Sequence, residues 1–145
     1  IGFVTLGTFR LTRIDTNGNE WIVGYSFKND FVCDYPSLIN KTGATVSIQA
    51  TTDCEVYLLS LSELNQFWET DMETQRLGRH IAETMFAEIY QRLLGFYCDT
   101  PEQRYQALMK RCPDLQELIT LKEIALFLGV TPETLSRIRK KQQQK

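Results

Sequence analysis

The sequence has little from which metal or acid–base sites are built. Among 145 residues there is one histidine, His80, and four cysteines, Cys33, Cys54, Cys98 and Cys112, with no CxxC pair. Zinc and iron–sulfur ligand spacings are therefore missing, and no metal is expected. Nucleophilic catalysis needs a Ser or Cys beside a base, and none has a histidine nearby in sequence. His80 itself reads as a solvated or interface residue. The scattered thiols read as reduced, which predicts a cytoplasmic protein; Cys33 reads as a small buried hydrophobe. No run approaches the about eighteen apolar residues of a membrane span, and no signal peptide is seen, so no membrane partner is expected. The chain also lacks an initial Met. It opens on Ile1-Gly-Phe-Val-Thr-Leu-Gly, already strand-like, which predicts that an N-terminal piece is missing.

Net charge is small too, at −2, but it is unevenly spread. From Thr120 to the end, six basic residues face two acidic ones, a net +4, which leaves −6 for the rest. That basic tail coincides with the most structured local pattern. Thr120 and Glu123 have capping-box spacing, and Ile124, Ala125 and Leu128 make an apolar stripe. Gly129 suits a helix stop, Thr131 an N-cap and Pro132 the first turn of the next helix. That second helix buries Leu135 and Ile138 and exposes Glu133, Thr134, Ser136, Arg137, Lys140 and Lys141. Two short helices around a Gly turn, the second polar and basic outside, describe a helix-turn-helix. The same residues would also make an ordinary αα-corner with a solvated face. Side chains suited to base edges and phosphates favour double-stranded DNA as the partner.

The first sixty residues read as β. Phe3–Ile14 is followed by Asn17-Gly18, which predicts a type I′ hairpin, and the returning strand places Trp21, Val23, Tyr25 and Phe27 on one face. Phe31–Ile39 is short and mixed, with Pro36 against a central strand. Thr45–Ala50 should turn Val46, Ile48 and Ala50 inward, and Cys54–Leu59 should do so with Cys54, Val56 and Leu58. Short strands with frequent turns predict a small sandwich or barrel. At Ser60 the character changes. Ser60 and Glu63 cap a short helix, and Thr70 and Glu73 cap a long one from about Met72 to Tyr97, roughly 37 Å at about 1.5 Å per residue. Its stripe is Leu77, Ile81, Met85, Ile89 and Leu93, more than one small sheet needs to cover. The helix either packs between two domains or meets its two-fold copy; a homodimer is favoured because helix-turn-helix proteins read paired half-sites. Gly78 either permits close approach or is incidental. Tyr105, Leu108 and Met109 face inward on a further helix that ends before Cys112-Pro113.

This order of parts resembles the Crp/Fnr family of bacterial transcription regulators over nearly the whole chain. The sequence Gly129-Val-Thr-Pro-Glu-Thr-Leu-Ser-Arg-Ile138 resembles the family's recognition helix, and Asn29-Asp-Phe31 and Asp53-Cys-Glu-Val56 resemble landmarks of its β-roll. The resemblance implies an α+β fold: a partial antiparallel β-roll, residues 1–70; a long dimerisation helix, residues 71–97; and a C-terminal winged-helix-type helix-turn-helix domain, residues 98–145. It implies that Glu133 and Arg137 read bases, Glu133 accepting from cytosine and Arg137 donating to guanine. Thr131 and Pro132 would open that helix at the groove, with Thr134 and Ser136 adding contacts. Thr120, Lys122, Lys140 and Lys141 would hold phosphates, and RNA polymerase would be a further partner. Nucleotide-binding members hold the cyclic phosphate with Gly-Glu and Arg-Ser pairs; here the matching positions carry Cys33-Asp34 and Ala44-Thr45. Ala44 cannot supply the charge-assisted bond of an Arg, which argues against cyclic AMP and leaves the effector and cofactor unknown. Any effector pocket would involve Cys33, Asp34, Ala44 and Thr45, with Tyr35 nearby. The competing reading, a catalytic or ligand-binding cupin-like barrel, needs converging histidines, and residues 1–60 contain none.

Overall fold

The computed structural model describes residues 1–143; Gln144 and Lys145, part of the polar, basic tail, lie outside the described residues. By contact the chain separates into two units, Ile1–Leu58 with Pro101–Lys145, and Leu59–Thr100.

The first unit begins with strands β1 (Gly2–Leu6), β2 (Phe9–Ile14), β3 (Glu20–Ser26) and β4 (Phe31–Val32). Helix α1 (Tyr35–Asn40) and strands β5 (Ser47–Ala50) and β6 (Glu55–Leu58) follow. They form two three-stranded antiparallel sheets, β4-β1-β6 and β3-β2-β5. Local chemistry departs from expectation in four places. The β2–β3 hairpin is not a type I′ turn. Of its loop residues only Gly18 has positive φ, at 85°. Its amide bonds the Asp15 carbonyl at 3.1 Å and Asp15 N bonds the Asn19 carbonyl at 2.9 Å, the longer loop that ends on one left-handed residue. On β3, Trp21 and Val23 are exposed whereas Ile22 and Tyr25, and Phe27 just beyond the strand, are buried. Pairing passes from Leu11↔Gly24 to Thr12↔Ile22, so Val23 is a bulge residue and the alternation changes phase there. Pro36 marks a helix start, not a poor strand: it lies in the first turn of α1, where its missing N–H is harmless. Finally, Ile48, Ala50 and Leu58 are exposed and Val46, Cys54 and Val56 only half-buried. β5 and β6 are edge strands. Alternation selects a face, but burial requires a layer opposite it.

The rest of this unit is helical: α4 (Pro101–Arg111), α5 (Leu115–Leu118), α6 (Leu121–Leu128) and α7 (Pro132–Gln143). Tyr105, Leu108, Leu115, Ile124, Leu135 and Ile138 form its core, and Ile22 and Tyr25 of β3, with Phe27 just after it, belong to the same cluster. Tyr25 meets Phe127 edge to face at 5.2 Å between ring centroids. Two ion pairs flank the cluster, Arg10–Glu123 and Arg111–Asp30, each at 2.6 Å.

The second unit holds α2 (Leu61–Trp68) and α3 (Met72–Cys98). Ser60 and Glu63 cap α2 reciprocally, as their spacing predicts. The cap of α3 is Asp71, one residue later than expected. Its carboxylate accepts from Glu73 N at 2.9 Å and Thr74 N at 2.8 Å, while the Thr70 hydroxyl donates to the Gln66 carbonyl. An anion is the better acceptor at the positive end of a helix. α3 is 27 residues long and has no buried residue.

Gly78 has a specific use in this unit. A Cβ there would lie 2.5 Å from Nε1 and 2.8 Å from Cε2 of Trp68, so the bare backbone of α3 lets the indole of α2 lie against it. Gly78→Ala gains about 1 kcal/mol of helix propensity but must displace a rigid ring. A net loss of about 1–3 kcal/mol is expected. Thermal melting would measure it, with a changed near-ultraviolet tryptophan signal.

Candidate nucleic-acid interface

Helices α6 and α7 are each fixed at the N-terminus by their own side chains. The Thr120 hydroxyl accepts from Glu123 N at 3.3 Å and donates to Glu123 Oε2 at 2.8 Å, and Thr120 N donates to the same oxygen at 3.0 Å. Burial alone would raise the Glu123 carboxyl. The bonds from Thr120 and the guanidinium of Arg10 outweigh it and hold the group below its ordinary value. α6 stops at Gly129, which is left-handed at φ 67°. Val130 N then reaches the Ala125 carbonyl at 3.0 Å and Gly129 N the Leu126 carbonyl at 3.2 Å, the closure that glycine at this position allows. Thr131 caps α7 by accepting from Thr134 N at 3.2 Å, and Pro132 occupies its first position.

This geometry sorts the side chains of α7. Leu135 and Ile138 enter the core. Thr131, Pro132, Glu133, Arg137, Lys140 and Lys141 are exposed, and Thr134 and Ser136 are half-buried. Glu133 and Arg137 stand one turn apart. The Glu133 carboxyl is held below its usual value, first by its own backbone amide, then by the Thr131 hydroxyl and the charge of Arg137. Arg137 Nη2 donates weakly to the Thr134 hydroxyl at 3.4 Å, leaving most of the fork toward solvent. An acceptor-only carboxylate and a bidentate donor, side by side near a helix N-terminus, can read a base-pair edge in a wide groove. Lys122 is also exposed, on α6. Thr120 is committed to its cap, and Lys141 pairs with Glu102 at 3.1 Å. That pair is largely exposed and is held by no more than about 1 kcal/mol. Arg139 supports the helix from behind, donating to Gln116 Oε1 at 2.6 Å; Gln116 in turn donates to the Tyr105 hydroxyl at 2.7 Å.

Two of the four residues named for an effector pocket are engaged with each other. Asp34 and Thr45 are bonded to each other, N to Oδ2 at 2.6 Å. Cys33 is half-buried, and that burial is the main cause raising its thiol, so it is held as the unreactive neutral form. Ala44 is exposed. On α3, Leu77, Ile89 and Leu93 are exposed and Ile81 and Met85 half-buried; beside them, Phe86 and Tyr90 are exposed and stack at 5.9 Å.

Arg10 joins distant parts of the first unit. Its Nη1 bonds Glu123, 113 positions away, and its Nη2 bonds Gln49 at 2.6 Å. With Gln49, Thr51, Gln116, Thr120 and Glu123 it lines an open cleft of about 540 Å³. An isolated Arg on a β-strand gives no local signal of such a partner. Among the described residues no helix is long and apolar enough to cross a membrane, and no cluster of three or more His, Cys, Asp or Glu could hold a metal ion.

Residues 1–71 match the family model of the cyclic nucleotide-binding domain. No curated protein matches the sequence significantly. Among solved structures, the chain is similar to FixK2 from Bradyrhizobium japonicum, with 18% identity and a TM-score of 0.76, covering 99% of this chain and 74% of that one. It is similar to a transcriptional regulator of the Crp/Fnr family from Eubacterium rectale, with 16% identity and a TM-score of 0.69, covering 98% and 68%. It is also similar to the c-di-GMP responsive global regulator CLP of Xanthomonas campestris, with 18% identity and a TM-score of 0.63, covering 99% and 76%. Residues 1–71 thus resemble the cyclic nucleotide-binding domain, and the chain shares the α+β fold of FixK2 and of the Crp/Fnr-family regulator from Eubacterium rectale, a β-roll followed by a long helix and a C-terminal helical head.

Proposed function

We propose that the protein is a homodimeric, sequence-specific DNA-binding transcription regulator of the Crp/Fnr kind, not an enzyme, and that its roll does not respond to cyclic AMP. The observation that carries this reading is α7. Its buried Leu135 and Ile138 fix the helix by one face, and that leaves Glu133 and Arg137 exposed together on another. The fold shared with solved regulators supports the same reading. Residues 1–70, 71–97 and 98–145 act as roll, dimerisation helix and reading head, in the cytoplasm, with RNA polymerase as a further partner. Arg137 donates to guanine, Glu133 accepts from cytosine, and Thr134 and Ser136 add contacts. Lys122 and Lys140 hold phosphates, Lys141 joins them by leaving Glu102, and Thr120 joins them only by giving up its bonds to Glu123.

Selection of bound sequences from a random DNA pool tests the reading directly. It is expected to return two half-sites whose centres lie about one helical turn apart. Arg137→Ala should cost about 1–3 kcal/mol and relax preference at one position of each half-site, whereas Lys140→Ala should weaken all sequences alike and lower the salt slope by about one. Recovery of no preferred sequence, or an Arg137→Ala protein that discriminates as well as the parent, would sink the assignment.

A further inference from the structure

Asp34 occupies the N-cap of α1 but makes no side-chain cap to that helix. An aspartate in this position ordinarily accepts from the amides of the first turn. Here the carboxylate is directed across the loop, and one oxygen, Oδ2, collects four donors. They are Thr45 N at 2.6 Å, the Thr45 hydroxyl at 2.9 Å, Val46 N at 3.3 Å and the Ser37 hydroxyl at 2.8 Å. Ser37 is buried, whereas Ala44 and Thr45 are at the surface. Two successive backbone amides and two hydroxyls aimed at one point make an oxyanion cradle. Such a cradle suits a carboxylate or phosphate oxygen and binds a neutral acceptor less strongly. The Asp34 carboxyl falls to about 2, chiefly because of the Thr45 amide and the Ser37 hydroxyl, so the group stays an anion at any working pH.

We propose that Asp34 is a tethered ligand of the roll: its carboxylate fills an oxyanion cradle formed by Ser37, Thr45 and Val46 and excludes soluble phosphate from it. The cradle lies within the 1–71 match to a domain family named for binding a phosphate-bearing ligand. The donors that could hold such a phosphate oxygen are already saturated by the chain itself. The segment after α1 is thereby pinned back onto the helix by the chain's own carboxylate. No cation is among the four donors, so the cradle balances a single carboxylate charge better than a doubly charged phosphate. This inference concerns the roll alone and does not depend on DNA binding by α7.

The test uses the full chain with inorganic phosphate as the probe, following the Thr45 and Val46 amides by nuclear magnetic resonance and hydrogen exchange. In the parent, phosphate should leave both amides unshifted relative to chloride at equal ionic strength. Asp34→Ala empties the cradle; exchange at both amides should become at least about tenfold faster, the loss expected for bonds to a charged acceptor. Added phosphate should then shift the two amides saturably and restore their protection. A parent that binds phosphate at these amides, or a folded Asp34→Ala protein whose amides ignore it, would overturn the proposal. Asp34→Asn keeps an acceptor oxygen without the charge and covers the case in which Asp34→Ala fails to fold. Faster exchange that phosphate reverses supports the tethered anion; protection equal to the parent and no response to phosphate refutes it.

Discussion

Ile89→Asp combined with Leu93→Asp is expected to make the protein monomeric and to weaken binding to a two-half-site DNA by about 10²–10⁴-fold. Both residues lie on the exposed stripe of α3, one turn apart, with Phe86 and Tyr90 next to them. α3 buries no residue of its own within the chain, although a helix with this much apolar surface normally buries a face. Each large apolar side chain covered by a partner copy contributes about 1.5–3 kcal/mol. An aspartate in its place forfeits that and adds an unpaired charge, and two-fold symmetry doubles both effects. Sedimentation equilibrium would measure the mass directly. The affinity loss comes from the second reading head, which no longer benefits from being held near its half-site. A DNA carrying one half-site should therefore bind parent and variant alike. Persistence of the dimer in the double variant would remove α3 as the interface, whatever the DNA result.

Leu135→Ala is expected to destabilise the first unit by about 2–5 kcal/mol. Leu135 is fully enclosed, at 0% exposure, in the cluster it shares with Ile124, Ala125, Leu128 and Tyr105. The cost combines lost transfer energy with the cavity left where neighbours on three helices cannot close in. It should appear as a lower midpoint in denaturant with an unchanged slope. DNA binding should fail with it, because Leu135 and Ile138 hold α7 to the head. Arg137→Ala, two positions along the same helix, supplies the contrast: it should alter stability by no more than about 0.5 kcal/mol while changing specificity. If both variants lost stability equally, the division of α7 into a buried face and a reading face would be wrong.

The helix-turn-helix was legible because its determinants are local. Thr120 with Glu123, Gly129, and Thr131 with Pro132 each act within four residues, and all adopt the geometry their chemistry prescribes. Features depending on a choice between near neighbours were read with small errors. Thr70–Glu73 and Asp71–Thr74 both fit a capping box, and only the strength of the carboxylate as an acceptor separates them. Pro36 fits either a poor strand or a helix start, and six residues of α1 are too few to show a period. The phase of β3 required knowing that Val23 bulges out of its ladder, which is a property of the pairing with β2. What could not be read at all was long-range. Neither Arg10 nor Glu123 carries any mark of the other, and nothing in Tyr25 or Phe27 points to α4, α6 or α7. The cradle around Asp34 falls between these cases. Two of its residues, Asp34 and Thr45, were singled out, but as a site for something else, since sequence spacing cannot tell a vacant anion site from one that the chain has filled.

The common cluster joining Ile22, Tyr25 and Phe27 to the C-terminal helices bears on how such a protein can be cut. A fragment starting at Pro101 would retain every residue of the two-helix motif, yet it would leave Phe127, now packed on Tyr25, without its cover. It would also lose the counter-charge of Glu123. Apolar surface bared in that way promotes association. The C-terminal helical head is therefore not a portable cassette: grafted onto another protein or expressed alone, it needs a β-hairpin to lean on, and its independent melting should be sought only with β2 and β3 supplied.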